Sequence, residues 1–161
     1  MVQQDRDQNV ETVKDLIKGA RSCLFTTRTA DGGLVTRPMA VQKADFDGDL
    51  WFYAARDSDK VTQFSADPNV NLGFSENGTW VSLRGRAEIV DDLAIKRELA
   101  DSLTTAWLQA GPEDPSAALI KVVTDGAEYW SSDGAKTVLS MLKARVTGER
   151  PQGGQNESVD L

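Results

Sequence analysis

The stretch LWFYAARDSDK, Leu50 to Lys60, runs an apolar, aromatic segment straight into Arg-Asp-Ser-Asp-Lys. Ser58 is a natural helix N-cap, and a helix starting there leaves the amides of Asp59, Lys60 and Val61 without intrahelical acceptors. With Lys60 and the positive end of the helix dipole, those amides make a site for a small anion. Asp57 and Asp59 are equally ordinary at a helix start, so the stretch reads either as a plain cap or as an anion site. Arg37-Pro38-Met39 offers a second cation inside a β-rich segment. Pro38 cannot donate to a ladder, which puts its strand at an edge or a bulge. Arg37 is then a surface ion-pair partner or part of a site. The four tryptophans, Trp51, Trp80, Trp107 and Trp130, belong first to core or interface, with one or two left to stack on a planar ligand.

Other chemistry is excluded by composition. The 161 residues contain no histidine and one cysteine, so a Ser-His-Asp triad, a His-based zinc site, a His-ligated haem and a thiolate cluster cannot be assembled. No phosphate-binding P-loop and no Gly-x-Gly-x-x-Gly after a strand is present. A formal charge of −7 disfavours nucleic acid and anionic membranes as partners while leaving room for a local anion site. Without a signal peptide, a long apolar span or a possible intrachain disulfide, the expected location is cytoplasmic. Cys23, between Ser22 and Leu24, reads as a small core residue.

The elements that must position these residues follow from periodicity. Asn9 to Ala20 predicts a helix on Val10, Val13, Leu16 and Ile17. Strands are expected at Ser22–Thr29, Leu34–Val41 and Leu50–Ala55, separated by Asp31-Gly32-Gly33 and Asp47-Gly48 turns. A short helix on Val61 and Phe64 stops at Asp67-Pro68. Strands at Asn69–Ser75 and Thr79–Val90 follow, then a helix from Asp91-Asp92 to Leu103, a strand pair within Ala117–Ser131, and a closing helix over Ala135–Val146. This order is mostly β with flanking helices: about six antiparallel strands closing a small barrel. The chain reads as one domain, residues 1–147, with a polar tail, residues 148–161, that composition alone makes disordered.

The ordered set of segments resembles the pyridoxamine 5′-phosphate oxidase superfamily of FMN-binding split β-barrels, in its general stress protein branch. It comprises TRPM at 36–39, LWFYA with SDK at 50–60, DPNVNLGF at 67–74, VSLRGRAEIVDD at 81–92, GPEDP at 111–115 and LIKVVTDGAEYW at 119–130. The ending GGQNESVDL is also similar to the tail of many members, which sets it against the disorder reading.

The resemblance implies a homodimer with FMN in clefts between the barrels. By matching position, Arg37 with the backbone of Pro38 and Met39 lines the flavin and its phosphate tail. Tyr53 and Ala54 match the strand-end pair beside the cofactor, and Ser58 and Lys60 match the Ser-x-Lys that holds the phosphate. Trp130 matches an aromatic that reaches the flavin from the partner chain. Three departures stand out. Asp59 replaces a second cation, for which Arg56 is the candidate substitute. Trp80 replaces a glutamine that touches the flavin. SSDGAKTVL after Trp130 lacks the Arg- and His-containing segment that grips pyridoxal phosphate. The expectation is therefore an FMN-dependent oxidoreductase acting on a small molecule in a stress response, without pyridoxamine phosphate oxidase activity. The alternatives are a flavin-buffering protein without turnover and a structural dimer whose site has decayed. No catalytic side chain and no metal is expected.

Overall fold

The computed structural model describes residues 2–42, 45–76, 78–131 and 155–161. Among these residues seven strands form one antiparallel sheet, most of them on alternating apolar positions: β1 (Ser22–Arg28), β2 (Leu34–Ala40), β3 (Asp49–Ala55), β4 (Asn69–Glu76), β5 (Thr79–Val90), β6 (Ala117–Ser131) and β7 (Gln155–Asp160). Their spatial order is β2-β1-β4-β5-β6-β3, with β7 also on β6. One edge of β6 pairs with β5 throughout, while its other edge takes β3 at residues 117–123 and β7 at residues 126–131. The two ends of the order curl together, and the Gln42 amide donates to the Trp51 carbonyl at 3.0 Å. This is the split barrel.

Inside it, Phe25 and Phe52 meet edge-to-face at 5.2 Å, among fully buried Leu72, Leu83, Ile120 and Val122. Helix α1 (Val2–Ile17) packs Val10, Val13 and Ile17 into this core, and α2 (Asp59–Ala66) adds Val61 and Phe64. A bulge at Arg84/Gly85 lets β5 stay paired along the whole of β6. Gly85 fits there because a Cβ would lie 2.4 Å from the Val123 carbonyl oxygen.

Several expectations change. Helix α1 starts at Val2 rather than Asn9, because its first turns are polar and solvent-facing, with Gln3 bonded to Asp7 at 2.9 Å one turn on. The helix expected to reach Leu103 is two: α3 (Leu93–Leu99) and α4 (Ser102–Leu108). Asp101 breaks it by capping α4, its carboxylate accepting from the Thr104 amide at 2.7 Å. The expected strand pair within Ala117–Ser131 is the single strand β6. The tail is also not wholly irregular: Gln155–Asp160 forms β7, held by the ladder with β6, by Tyr129 to Glu157 at 2.6 Å and by Arg84 to Asp160 at 2.9 Å. A sheet edge that lends its backbone bonds can order a polar segment that has little apolar surface to bury. The helix expected at Ala135–Val146 and the boundary at residue 147 lie outside the described residues. Among those described, no helix is long and apolar enough to cross a membrane.

Candidate functional site

Strand β2 is an edge strand, which accommodates Pro38 without a bulge. Its pleat puts Arg37 opposite the buried Phe25, on the side of β1 that also carries buried Thr27. A guanidinium there loses water and must find partners. Its Nη1 donates to Thr27 Oγ1 at 2.6 Å and its Nη2 to Gln63 Oε1 at 3.0 Å. Thr27 Oγ1 in turn donates to the same Gln63 oxygen at 2.6 Å. All these partners are neutral, so Arg37 is oriented but its charge is not cancelled.

Lys60, in the first turn of α2, shares this situation. Burial, and then the nearby Arg37 charge, lower its pKa below the ordinary lysine value, with Asp59 opposing. Burial likewise lowers the Arg37 pKa, again opposed by Asp59. Among the described residues neither cation forms an ion pair. Two partly dehydrated cations that repel one another mark a place where an anion is stabilised.

The cap and anion readings of Ser58 turn on its hydroxyl. Ser58 has the extended backbone of an N-cap but makes no side-chain capping bond. Its Oγ is buried with no hydrogen-bond partner among the described residues. Such an orphan costs free energy, about 1–3 kcal/mol, unless a ligand satisfies it. The Val61 amide, expected to be free, is bonded to the Ser58 carbonyl at 3.0 Å, leaving the Asp59 and Lys60 amides ahead of the first helical bond. Arg56 does not substitute for the cation missing at Asp59. It is bound to Asp91 at 2.5 Å and to the Pro115 carbonyl at 2.8 Å.

Above these residues opens a cleft of about 1140 Å³. Of the predicted site residues, Arg37, Pro38, Met39, Tyr53, Ala54 and Lys60 all line it. Ser58 does not line it. Tyr53 turns its hydroxyl away, donating to the Lys96 carbonyl of α3, which leaves its buried ring as wall. Burial of the hydroxyl, reinforced by Glu113, raises the Tyr53 pKa, so it stays neutral. Trp130 is not brought to this cleft. It stands exposed on β6, paired in register with exposed Trp80. Cys23 is a core residue whose thiol burial pushes up to about 12.

Thr27 and Gln63 escaped the sequence reading. A signal existed: Arg37 falls on the inward face of its strand, and an inward arginine requires polar partners. The orphaned hydroxyl, the paired cations and the size of the cleft fit a phosphorylated, ring-bearing cofactor of flavin mononucleotide type.

A split barrel with two cations lining a large cleft narrows the class, and comparison with known proteins gives the family. The pyridoxamine 5′-phosphate oxidase-like family profile matches residues 8–152, and the chain belongs to that family. It is 30% identical over 135 residues to Protein bli-3 of Neurospora crassa, covering 76% of this chain and 65% of that protein's length. Among solved structures, a Jannaschia sp. CCS1 protein assigned as general stress protein 26 superposes with TM-score 0.73 at 25% identity, over 96% of this chain and 99% of that one. A general stress FMN/FAD binding protein from Xanthomonas citri shares the fold with TM-score 0.65 at 24% identity, covering 77% of this chain and 89% of that one.

Proposed function

We propose that this protein binds FMN in the cleft and works as a flavin-dependent oxidoreductase on a small molecule in a stress response. The observation that carries the reading is the buried, unpartnered Ser58 hydroxyl at the start of a helix whose neighbouring cations, Arg37 and Lys60, are partly buried and form no ion pair among the described residues. Arg37 and Lys60 would hold the phosphate, and the Ser58 hydroxyl would bond it once ligand entry opens the start of α2. Thr27 and Gln63 hold the Arg37 fork in place, and Pro38, Met39, Tyr53 and Ala54 form the walls that orient the ring and exclude water. Bound FMN supplies the two-electron redox chemistry that these side chains lack. Asp59 works against the phosphate, and with Arg56 engaged elsewhere the affinity is modest.

The active form is a homodimer. Trp80 and Trp130 are exposed side by side on the outer face of the sheet, an apolar pair that a second copy would cover. In that arrangement Trp130 would reach the partner's cleft.

The test is a visible absorption spectrum of the purified protein after FMN addition and desalting, followed by NADH or NADPH. Retained flavin, reduced by one of the nucleotides and reoxidised by an added acceptor, is the expected result. Retained flavin that neither nucleotide reduces removes the nicotinamide-linked oxidoreductase and leaves flavin buffering. A colourless protein removes the reading. Lys60→Ala is expected to weaken FMN about tenfold, against no change for the exposed Arg86→Ala. Sedimentation at micromolar concentration checks the dimer.

A further inference from the structure

The cleft has two ends of different chemistry. Arg37 and Lys60 occupy one. The β2 backbone then runs from Arg37 to Val41, roughly 13 Å at the usual strand rise. At that far end the Val41 amide donates to the Arg21 carbonyl at 3.0 Å. The next residue, buried Gln42, donates from Nε2 to Thr104 Oγ1 of α4 at 3.2 Å. Helix α4 is thereby fixed at the far end, and it buries none of its own side chains. Leu103 and Trp107, four residues apart and so on one helical face, are 80% and 88% exposed, yet both line the cleft.

Charge separates the ends as well. At the far end the cations Lys14, Lys18 and Arg21 are matched in number by the carboxylates Asp15, Asp45 and Asp101. Lys14 is further paired with Glu11 at 3.7 Å. A cleft of about 1140 Å³ exceeds the roughly 300–1,000 Å³ usual for one ligand.

We infer that the far end is a second compartment, in which Trp107 of α4 stacks on a flat, uncharged aromatic molecule beside the cofactor. This rests on FMN taking the Arg37 end. A phosphorylated co-substrate is disfavoured, because the far end offers no excess of positive charge. Trp107 is therefore a specificity-determining residue, and the chemistry it selects is planar and neutral.

Calorimetric titration of the FMN-loaded protein with 2-naphthol and with 2-naphthalenesulfonate, flat molecules differing in charge, tests this. Naphthol is expected to bind more tightly than the sulfonate. Trp107→Ala should weaken naphthol about tenfold, and Trp107→Phe should restore most of that, with FMN affinity unchanged in both. An unaltered naphthol affinity in Trp107→Ala, or equal binding of the sulfonate, overturns the inference. So does displacement of FMN by naphthol, or a Trp107→Ala protein whose sedimentation changes, since a second copy then covers Trp107. If the protein does not take up FMN, the flavin reading fails by itself, and the same titrations on the apoprotein still decide whether Trp107 holds the neutral probe.

Discussion

Arg37 and Arg84 are both strand arginines with close partners, and their partners differ in one respect. Arg84, on the exposed side of β5, lies between Asp125 and Asp160, each at 2.9 Å. Its guanidinium covers Gly126, where a Cβ would lie 2.2 Å from Cζ. Its charge is matched, and its bonds tie β7 to the barrel. Arg37 has partners just as close, but Thr27 and Gln63 carry no charge. A matched arginine in solvent is fastening. An oriented, partly buried arginine with an unmatched charge is what the proposed phosphate site requires.

Exchanging the two substitutions breaks or sharpens that contrast most strongly. Arg37→Ala should weaken FMN by about 10- to 100-fold, the loss of charge-assisted hydrogen bonds, while melting moves within about 3 °C. Arg84→Ala should leave FMN affinity unchanged, lower Tm by about 2–4 °C and speed amide exchange in β7. Reversed results would mean that partner charge does not separate binding from fastening.

Lys60 extends the comparison to pH. Because burial and Arg37 lower its pKa, it loses its proton below the ordinary lysine value. Phosphate binding needs the protonated form, so affinity falls as pH rises through that lowered value, and FMN binding takes up protons there. The FMN-to-riboflavin affinity ratio, which isolates the phosphate, should fall in the wild type as pH rises towards the ordinary lysine range and stay flat in Lys60→Arg. A flat wild-type ratio would remove Lys60 from the phosphate site.

Ser58→Ala separates the cap from the ligand by sign. Removing an unpartnered buried hydroxyl should raise the apoprotein Tm by about 2 °C, while FMN affinity falls about fivefold. A lowered Tm would return Ser58 to the role of a helix cap.

Strands β1, β3, β4 and β5 were legible because each alternates onto one apolar face, and β2 because the Asp31-Gly32-Gly33 and Asp47-Gly48 turns bracket it. Lys60 and Arg37 were legible as cations, but their meeting was not, since β2 and α2 are brought together only by the barrel. Helix α4 was read as the end of the preceding helix up to Leu103 and as a connection beyond it: it buries no apolar stripe, and its start is set by the Asp101 cap. Strand β7 defeated composition because its order comes from a neighbour's edge rather than from its own side chains. The resemblance of its sequence to family tails pointed the right way where hydropathy did not.

Asp59 gives the smallest and most local test. It is the one departure from the matched Ser-x-Lys pattern that places negative charge between the cations, and it raises the pKa of both Arg37 and Lys60. In the apoprotein it therefore relieves some of their repulsion, and once a phosphate arrives it becomes a competitor. Asp59→Asn should raise FMN affinity about threefold at low ionic strength, and the gain should shrink towards nothing near 0.5 M salt, where exposed charges are screened. Apoprotein stability should fall slightly in the same variant, because two unmatched cations would then face each other alone. An Asp59→Asn protein with unchanged affinity at both salt concentrations would place the phosphate farther from the start of α2 than Ser58 and Lys60 imply.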